Sequence, residues 1–262
     1  MKQIRQIVTI FLCVALASTV LNAAGSVNYT ALGDSIAFGA FAPIGKGYVP
    51  LYAQFYRNDN ATSVQLLNLG VPGWTSYDLA NALRTNFLFQ LPVFSSGVTT
   101  INIGGNDLTP ARNSYKAGTC GGATNTDCLQ KAVDSFKLNW DSILSSVLFL
   151  RRFRPTVLRT MDIYNPFVNI DKNSDSWLAD GGATDFQALK PFLDDVNAYI
   201  TSTSNAKGIL VAPVYANFNG ALGDEDAGAK GLLAFDNFHP NAQGHALIAK
   251  LLRDLGYTKI TP

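Results

Sequence analysis

Residues 27–35 read Val-Asn-Tyr-Thr-Ala-Leu-Gly-Asp-Ser, a short apolar run that ends in a glycine and two polar residues. Runs of this kind, rich in β-forming residues, recur along the chain and are separated by segments long enough for helices. The five runs cover residues 27–32, 64–69, 98–103, 156–163 and 208–214. Alternation of strands and helices predicts an α/β fold in which a parallel sheet lies between layers of helices.

Three of the intervening segments have the spacing of helices with one buried face. Apolar residues recur every three or four positions in residues 127–153, and further helices are predicted over 184–202 and 241–255. Residues 104–126 and 164–183, by contrast, are long and polar, and each follows a predicted strand. Because ligands bind outside the carboxyl ends of parallel strands, we expect these two segments to form the rim of a site.

The N-terminal segment is typical of a secretory signal peptide. Basic residues precede an apolar stretch over 7–21, and small residues follow it at Ala23 and Ala24. This stretch is shorter than the roughly twenty apolar residues that a membrane-spanning helix needs. We therefore expect residues 1–23 to be removed and residues 24–262 to form a single secreted domain without a stable membrane anchor.

Composition limits the size of the core and the classes of partner. The chain has 262 residues, of which 47% are hydrophobic, and this is enough for one well-filled core. Loss of Lys2 and Arg5 with the signal peptide changes the formal net charge from +1 to −1, because 18 basic and 19 acidic residues remain. A nearly neutral chain offers no electrostatic surface for nucleic acid. We expect a monomer that does not bind nucleic acid.

Two cysteines, Cys120 and Cys128, remain after removal of the signal peptide, which contains Cys13. In an exported protein, two cysteines this close in sequence predict a disulfide. A zinc site is the alternative, but two cysteines and two distant histidines lack the spacing of zinc ligands. We therefore expect a disulfide and no metal, and the sequence leaves open whether the loop between the cysteines is a lid or a fixed wall.

The chain contains two acceptor sequons for N-linked glycans, Asn28-Tyr29-Thr30 and Asn60-Ala61-Thr62. They matter only in a host that glycosylates proteins. Asn60 is the better candidate, because Asn28 lies where the first buried strand is predicted to begin.

Gly33-Asp34-Ser35, taken alone, is a common turn and helix cap. After a strand, however, it would place the hydroxyl of Ser35 at a strand-to-helix turn that faces a crevice. A serine becomes nucleophilic when an imidazole takes its proton and a carboxylate orients that imidazole. Asp236 and His239, three residues apart, can supply both groups. The Gly-x-Ser-x-Gly elbow of the α/β-hydrolases does not occur in the sequence.

An acyl-transfer site also needs hydrogen-bond donors for the developing oxyanion. Asn68-Leu69-Gly70-Val71-Pro72-Gly73 ends the second predicted strand, where a glycine amide can face the site. Asn106 follows the third strand, in Gly104-Gly105-Asn106-Asp107, and can offer its side-chain amide. The second histidine, His245, lies within the last predicted helix, which would carry it away from Asp236, so we interpret it as structural.

Gly-Asp-Ser, a later glycine, Gly-x-Asn-Asp and Asp-x-x-His, in this order, resemble the four sequence blocks of the GDSL or SGNH hydrolase family. The resemblance spans residues 32–245. It implies a flavodoxin-like three-layer α/β/α sandwich with a five-stranded parallel sheet, and ester hydrolysis without a metal or organic cofactor. One departure is Ile36, where the family has leucine, and this exchange conserves side-chain volume. Asp34 and Asp107 are expected to hold turns rather than transfer protons.

The resemblance also implies the roles of the residues that match its motifs. Ser35 would be the nucleophile, His239 the general base and then the general acid, and Asp236 the residue that orients His239. The expected oxyanion hole consists of the backbone amides of Ser35 and Gly70 and the side chain of Asn106.

The leading hypothesis is a secreted carboxylesterase of lipase or lysophospholipase type, whose substrate is a small ester, a lipid or an acylated carbohydrate. One alternative is a carbohydrate O-acetylesterase, in which Trp74 or Trp177 would stack on a sugar. Another is a non-catalytic binding protein with the same fold. Six aromatic residues near the motif-bearing loops are candidates for an acyl pocket: Phe38, Phe41, Trp74, Phe87, Phe89 and Phe167.

Overall fold

A computed structural model describes residues 25–262 of the chain. The predicted signal peptide, residues 1–23, lies outside the described residues, and so does Cys13. All five predicted strands are present, as β1 (Ser26–Gly33), β2 (Ser63–Gly70), β3 (Val98–Asn102), β4 (Val157–Met161) and β5 (Leu210–Ala212). They form one parallel sheet in the order β2-β1-β3-β4-β5. This order is that of the flavodoxin-like fold, so the predicted fold class is confirmed.

Ten α-helices occur within residues 25–262. They are α1 (Ser35–Phe38), α2 (Tyr48–Asp59), α3 (Ser76–Thr85), α4 (Phe87–Ser95), α5 (Gly105–Lys116), α6 (Asp127–Arg151), α7 (Val168–Lys172), α8 (Asp185–Asn205), α9 (Val214–Asn219) and α10 (Ala242–Asp254). A short 3₁₀ turn covers Leu178–Asp180. In this described part of the chain, no helix is both long and apolar enough to cross a membrane.

The three helices predicted from apolar spacing correspond to α6, α8 and α10. One expectation was wrong, because residues 104–126 are not irregular throughout: helix α5 fills half of this segment. Gly105 and Pro110, which are poor helix formers, hide the helix in the sequence. Its buried face consists of Ala111 and Tyr115, which lie one turn apart.

Residues on opposite faces of the strands build two separate hydrophobic cores, one on each side of the sheet. Leu32 and Ile101 belong to the core that packs on α3, α4, α6 and α8. Tyr29, Ala31 and Val98 belong to the core that packs on α2, α9 and α10. Because successive residues of a strand point to opposite faces, a sheet with helices on both sides reads as a continuous apolar run.

The structure joins Cys120 and Cys128 in a disulfide. Between them, the side chain of Asn125 accepts a hydrogen bond from the amide of Cys120 at 2.8 Å and donates one to the carbonyl of Tyr115 at 2.8 Å. These contacts attach the loop to the C-terminal end of α5. Together with the disulfide, they hold the loop against that end of the helix.

Candidate active site

The turn after β1 depends on a close backbone approach at Gly33. Gly33 pairs with Asn102 of β3 and has a φ of +152°. A Cβ atom at this position would lie 2.1 Å from the carbonyl oxygen of Asn102. Asp34 then caps α1, because its Oδ1 accepts a hydrogen bond from the amide of Ile36 at 2.9 Å. Ser35 consequently occupies the first position of α1, at the carboxyl edge of the sheet.

The structure brings Ser35, His239 and Asp236 together. Nε2 of His239 lies 2.9 Å from Oγ of Ser35, although the two residues are 204 positions apart. Nδ1 of His239 lies 2.5 Å from Oδ2 of Asp236. The three side chains therefore form a continuous hydrogen-bonded chain from carboxylate to imidazole to hydroxyl, which is the geometry that nucleophilic serine catalysis requires.

Asp236 is held by its own loop as well as by the imidazole. Its Oδ1 accepts hydrogen bonds from the amides of Phe238 and His239, each at 3.1 Å. Burial alone would raise the pKa of Asp236, but the bond from the His239 ring and the two amide bonds lower it below its ordinary value. Asp236 is therefore a carboxylate suited to holding a proton on Nδ1 of the imidazole.

Phe41 covers one face of the imidazole. Its ring lies 4.8 Å from the ring of His239, with an angle of 22° between the two planes. Phe41 has a φ of +62°, which is uncommon for a bulky residue, and its ring also contacts Phe235 at 5.1 Å. The sequence indicated Phe41 as part of an acyl pocket, whereas the structure places it against the general-base candidate.

Asn106 lies at the start of α5 with its side chain restrained. Its Nδ2 donates a hydrogen bond to the carbonyl oxygen of Trp74 at 2.8 Å. Nδ2 carries two hydrogens, so one N–H remains for a ligand. The backbone amide of Ser35 has no hydrogen-bond partner among residues 25–262. Two of the three predicted oxyanion donors thus have an N–H without a partner among residues 25–262.

The third predicted donor, Gly70, requires a correction. Its amide already donates to Oδ1 of Asn68 at 2.9 Å. A Cβ atom on Gly70 would lie 2.4 Å from the backbone nitrogen of Phe38 and 2.8 Å from the carbonyl carbon of Ala37. Gly70 therefore lets β2 pack against α1, and its amide is not available to a substrate.

The turn that follows Gly70 carries a different candidate donor. Val71 donates to the carbonyl of Gly33 at 2.9 Å, and Ser76 donates to Oδ2 of Asp107 at 2.9 Å, so the segment between them bridges the two sides of the crevice. Within it, Gly73 has a φ of +82°, and its amide has no hydrogen-bond partner in the described chain. The dipeptide Pro72-Gly73 is a turn signal that could have identified it.

Two further polar residues considered in the sequence, Asp107 and His245, have structural contacts. Asp107 accepts hydrogen bonds from the backbone and the hydroxyl of Ser76, which joins α5 to α3. His245 is buried in α10, where its Nδ1 accepts from the amide of Tyr48 at 3.2 Å and its Nε2 lies 3.3 Å from the carbonyl of Ala40. Burial lowers the pKa of His245 to about 4, so the ring is neutral.

An apolar cavity extends from Ser35 between α5, the segment after β4, and α8. Most of its lining is aliphatic or aromatic, and the apolar lining residues on this side of the cavity are Leu108, Leu129, Ile163, Pro166, Phe167, Leu189, Phe192 and Leu193. Of the six aromatic residues predicted to form an acyl pocket, Phe167 lines this cavity. Trp74 instead stacks on Phe89 at 5.1 Å, and Phe38 and Phe87 are exposed.

We predict that Gly70→Ala destabilises the fold by about 1 to 3 kcal/mol, because the added methyl overlaps the backbone of α1. Urea unfolding of the wild type and the variant measures the change. Gly105→Ala is the matched control, since a Cβ at Gly105 meets no atom within 4 Å. Equal stability of the two variants would contradict the packing role of Gly70.

A second prediction concerns Asp34, which is buried and whose pKa burial raises to about 7. The ordinary pKa of aspartate is about 4, so at intermediate pH the folded chain retains a proton that the unfolded chain releases. The contribution of this retained proton to the free energy of unfolding is complete below about pH 4 and is lost as the pH rises through about 7. Asp34→Asn does not ionise and keeps an acceptor for Ile36.

The free energy of unfolding of Asp34→Asn, relative to wild type, should therefore increase by up to about 3 kcal/mol between pH 5 and pH 8. Urea unfolding at four pH values in this range measures the difference. Asp254→Asn, at an exposed residue of α10, controls for the loss of a surface charge. Parallel pH profiles for wild type and Asp34→Asn would be inconsistent with a protonated Asp34.

Known proteins share both the sequence pattern and the fold. The sequence pattern of the GDSL-like lipase/acylhydrolase family matches residues 31–247. YpmR, an uncharacterized protein of Bacillus subtilis (strain 168), is 27% identical over 222 residues, which are 84% of this chain and 77% of that protein.

Solved structures share the same fold at lower sequence identity. The lipase Lip_vut3 from a goat rumen metagenome has a TM-score of 0.71 at 23% identity, over 88% of this chain and 98% of its own. Axe2, an acetylxylan esterase from Geobacillus stearothermophilus, has a TM-score of 0.59 at 19% identity, over 89% of this chain and 96% of its own. Since the family pattern covers most of the sequence, the chain belongs to the GDSL-like lipase/acylhydrolase family and is a hydrolase of that type.

Proposed function

We propose that this protein is a serine carboxylic ester hydrolase of the esterase and lipase type. The observation that carries the proposal is the hydrogen-bonded chain from Asp236 through His239 to Ser35 at the mouth of an apolar cavity. A nucleophile, a base and a carboxylate that orients the base are the parts that acyl transfer to serine needs. A non-catalytic binding protein would have no need for this alignment.

In the proposed reaction, Oγ of Ser35 attacks the acyl carbonyl carbon while Nε2 of His239 takes the hydroxyl proton. Asp236 holds the proton on Nδ1 and stabilises the imidazolium that forms. The tetrahedral intermediate then collapses, and His239 protonates the leaving alcohol. Water attacks the acyl-enzyme with His239 as base, which releases the carboxylic acid and returns the proton to Ser35.

For the oxyanion of this intermediate, we propose three donors: the amide of Ser35, the amide of Gly73 and the second N–H of Asn106. Gly73 replaces Gly70, whose amide is bound to Asn68. The bond from Asn106 to the carbonyl of Trp74 supports this arrangement, because it fixes the side chain before substrate binds. Donors that need no rearrangement contribute most to transition-state stabilisation.

The cavity supports an apolar acyl group over the carbohydrate alternative. Its walls between α5 and α8 are formed mainly by leucine and phenylalanine side chains. The two tryptophans that would stack on a sugar are already packed against protein, Trp74 on Phe89 and Trp177 edge-on to Tyr115 at 6.4 Å. We therefore propose an ester of a fatty acid rather than an acetylated polysaccharide as the substrate class.

We further propose that the protein is exported and that residues 24–262 act as one hydrolase domain. The Cys120–Cys128 disulfide supports export, because such bonds persist in oxidising compartments. The lipase-type substrate class is consistent with an enzyme that meets its substrate outside the cytoplasm.

Replacement of the nucleophile gives the direct test of the proposed function. Ser35→Ala should abolish hydrolysis of p-nitrophenyl butyrate, because it removes the hydroxyl that attacks the carbonyl in the proposed reaction. A fluorophosphonate probe should label the wild type and the control Ser95→Ala, which alters an exposed serine, but not Ser35→Ala. Hydrolysis by a folded Ser35→Ala protein would refute the proposal.

Removal of the side-chain oxyanion donor tests the second part of the mechanism. Asn106→Ala should lower kcat by about a hundredfold or more and leave KM nearly unchanged, because the donor acts mainly in the transition state. Steady-state kinetics with p-nitrophenyl butyrate measures both constants. The control Asn217→Ala removes an exposed asparagine of α9 and should leave kcat unaltered. A wild-type kcat in Asn106→Ala would exclude this donor.

A further inference from the structure

An ion pair forms part of the wall of the apolar cavity. Arg112 of α5 binds Asp171 of α7 through both Nε, at 2.9 Å, and Nη2. The guanidinium also lies 3.8 Å above the ring centroid of Phe167. All three residues line the cavity. The pair is largely buried, since the side chains of Arg112 and Asp171 are 14% and 2% exposed.

The charges of this pair are balanced within a larger cluster. Lys116 lies 3.5 Å from Asp171 and also contacts Asp185. Asp185 accepts further hydrogen bonds from Ser174 and from Ser176. Two cations therefore face two carboxylates, and all four groups are engaged. The cluster offers a fixed polar surface to the cavity and not an unpaired charge for an anionic ligand.

The distance along α5 from Asn106 to the pair defines the depth available to an acyl group in front of the pair. The helix residues that line the cavity begin at Gly105 and Asn106, continue with Leu108 and Thr109, and end at Arg112. Arg112 lies six positions after Asn106, which corresponds to about 9 Å along a helix that rises 1.5 Å per residue. An extended chain advances roughly 1.2 Å per bond, so this depth holds about seven or eight carbons.

The packing behind the cavity restrains the C-terminal end of α5. Leu129, which lines the cavity, is buried in a cluster with Tyr115 and Cys120. The disulfide and the side chain of Asn125 attach this cluster to the end of α5. A longer acyl chain therefore cannot be accommodated by movement of the 120–128 loop alone and would have to displace the Arg112–Asp171 pair.

We propose, on the basis of the proposed ester hydrolase function, that Arg112 and Asp171 determine acyl-chain length and that the protein selects esters of medium-chain acids of about six to eight carbons. Each methylene up to the pair gains contact with leucine and phenylalanine side chains. A methylene beyond the pair would lie against charged groups and exclude water from them without gaining an apolar contact. This placement is unfavourable.

Replacement of both charges together tests the proposal, because removal of one partner would leave a buried charge unpaired. In Arg112→Leu/Asp171→Leu, Lys116 keeps Asp185 as its partner. With p-nitrophenyl esters of 2 to 16 carbons, the wild type should have its highest kcat/KM near eight carbons. The double variant should hydrolyse the 12-carbon ester at least about tenfold better than the wild type and the acetate equally well.

Two further variants complete the test, one as a control and one as an independent probe of acyl-chain length. Lys137→Leu/Asp195→Leu removes an ion pair of 2.8 Å between α6 and α8 that does not line the cavity, and it should keep the wild-type chain-length profile. Thr109→Leu fills the cavity about one helical turn before Arg112 and should move the optimum to four carbons or fewer. This variant tests the same axis if the double variant fails to fold.

Binding to Ser35→Ala separates this proposal from the proposed function, because binding needs no turnover. Calorimetric titration should show binding of octanoate and at least about tenfold weaker binding of dodecanoate, and Arg112→Leu/Asp171→Leu in the same background should remove this difference. Equal binding of the two acids, or a chain-length profile that a folded Arg112→Leu/Asp171→Leu variant leaves unaltered, would overturn the role of the pair. Length-selective binding without ester hydrolysis by the wild type would overturn the proposed function alone.

Discussion

The close approach of the backbone at Gly33 is the constraint on which the rest of the site depends. Gly33 pairs with Gly70 on one side and Asn102 on the other, and the amide of Asp34 donates to the carbonyl of Asn102 at 3.2 Å. β1 is thus held between its neighbours up to its last residue. The segments that follow all three strands therefore leave the sheet at the same edge, and Ser35 lies where they meet.

The general-base candidate is assembled locally and then brought to Ser35 by packing. Asp236 accepts from the amides of Phe238 and His239, and Ala234 donates to the carbonyl of His239 at 2.8 Å. Asn241, two residues after His239, caps α10. The packing of α10 on α2 and the sheet then determines the position of the imidazole, so a loop stable by its own hydrogen bonds meets a serine more than two hundred residues away.

Much of this arrangement was predictable, and the exceptions have identifiable causes. The central strands β3 and β4 are buried on both faces and read as apolar runs, and the partly exposed edge strands β2 and β5 are also rich in β-forming apolar residues, so all five were found. Helix α5 was missed because glycine and proline mask its short buried face. The sequence did not distinguish Gly70 from Gly73, because both lie in the segment that ends β2 and only hydrogen bonding separates their amides. The side chain of Asn68 accepts from the amide of Gly70, whereas the amide of Gly73 has no partner in the described chain.

The amino-acid sequence was enough to predict the five strands, the long helices, the family and the residue types that carry the chemistry, because periodicity, capping and turn formation act over a few neighbouring residues. Tertiary structure alone decided which amides remain free, that Phe41 covers the imidazole, and that Arg112 meets Asp171 across 59 residues at the wall of the cavity. Such contacts depend on how whole elements pack, and no local pattern in the sequence encodes the distance between them.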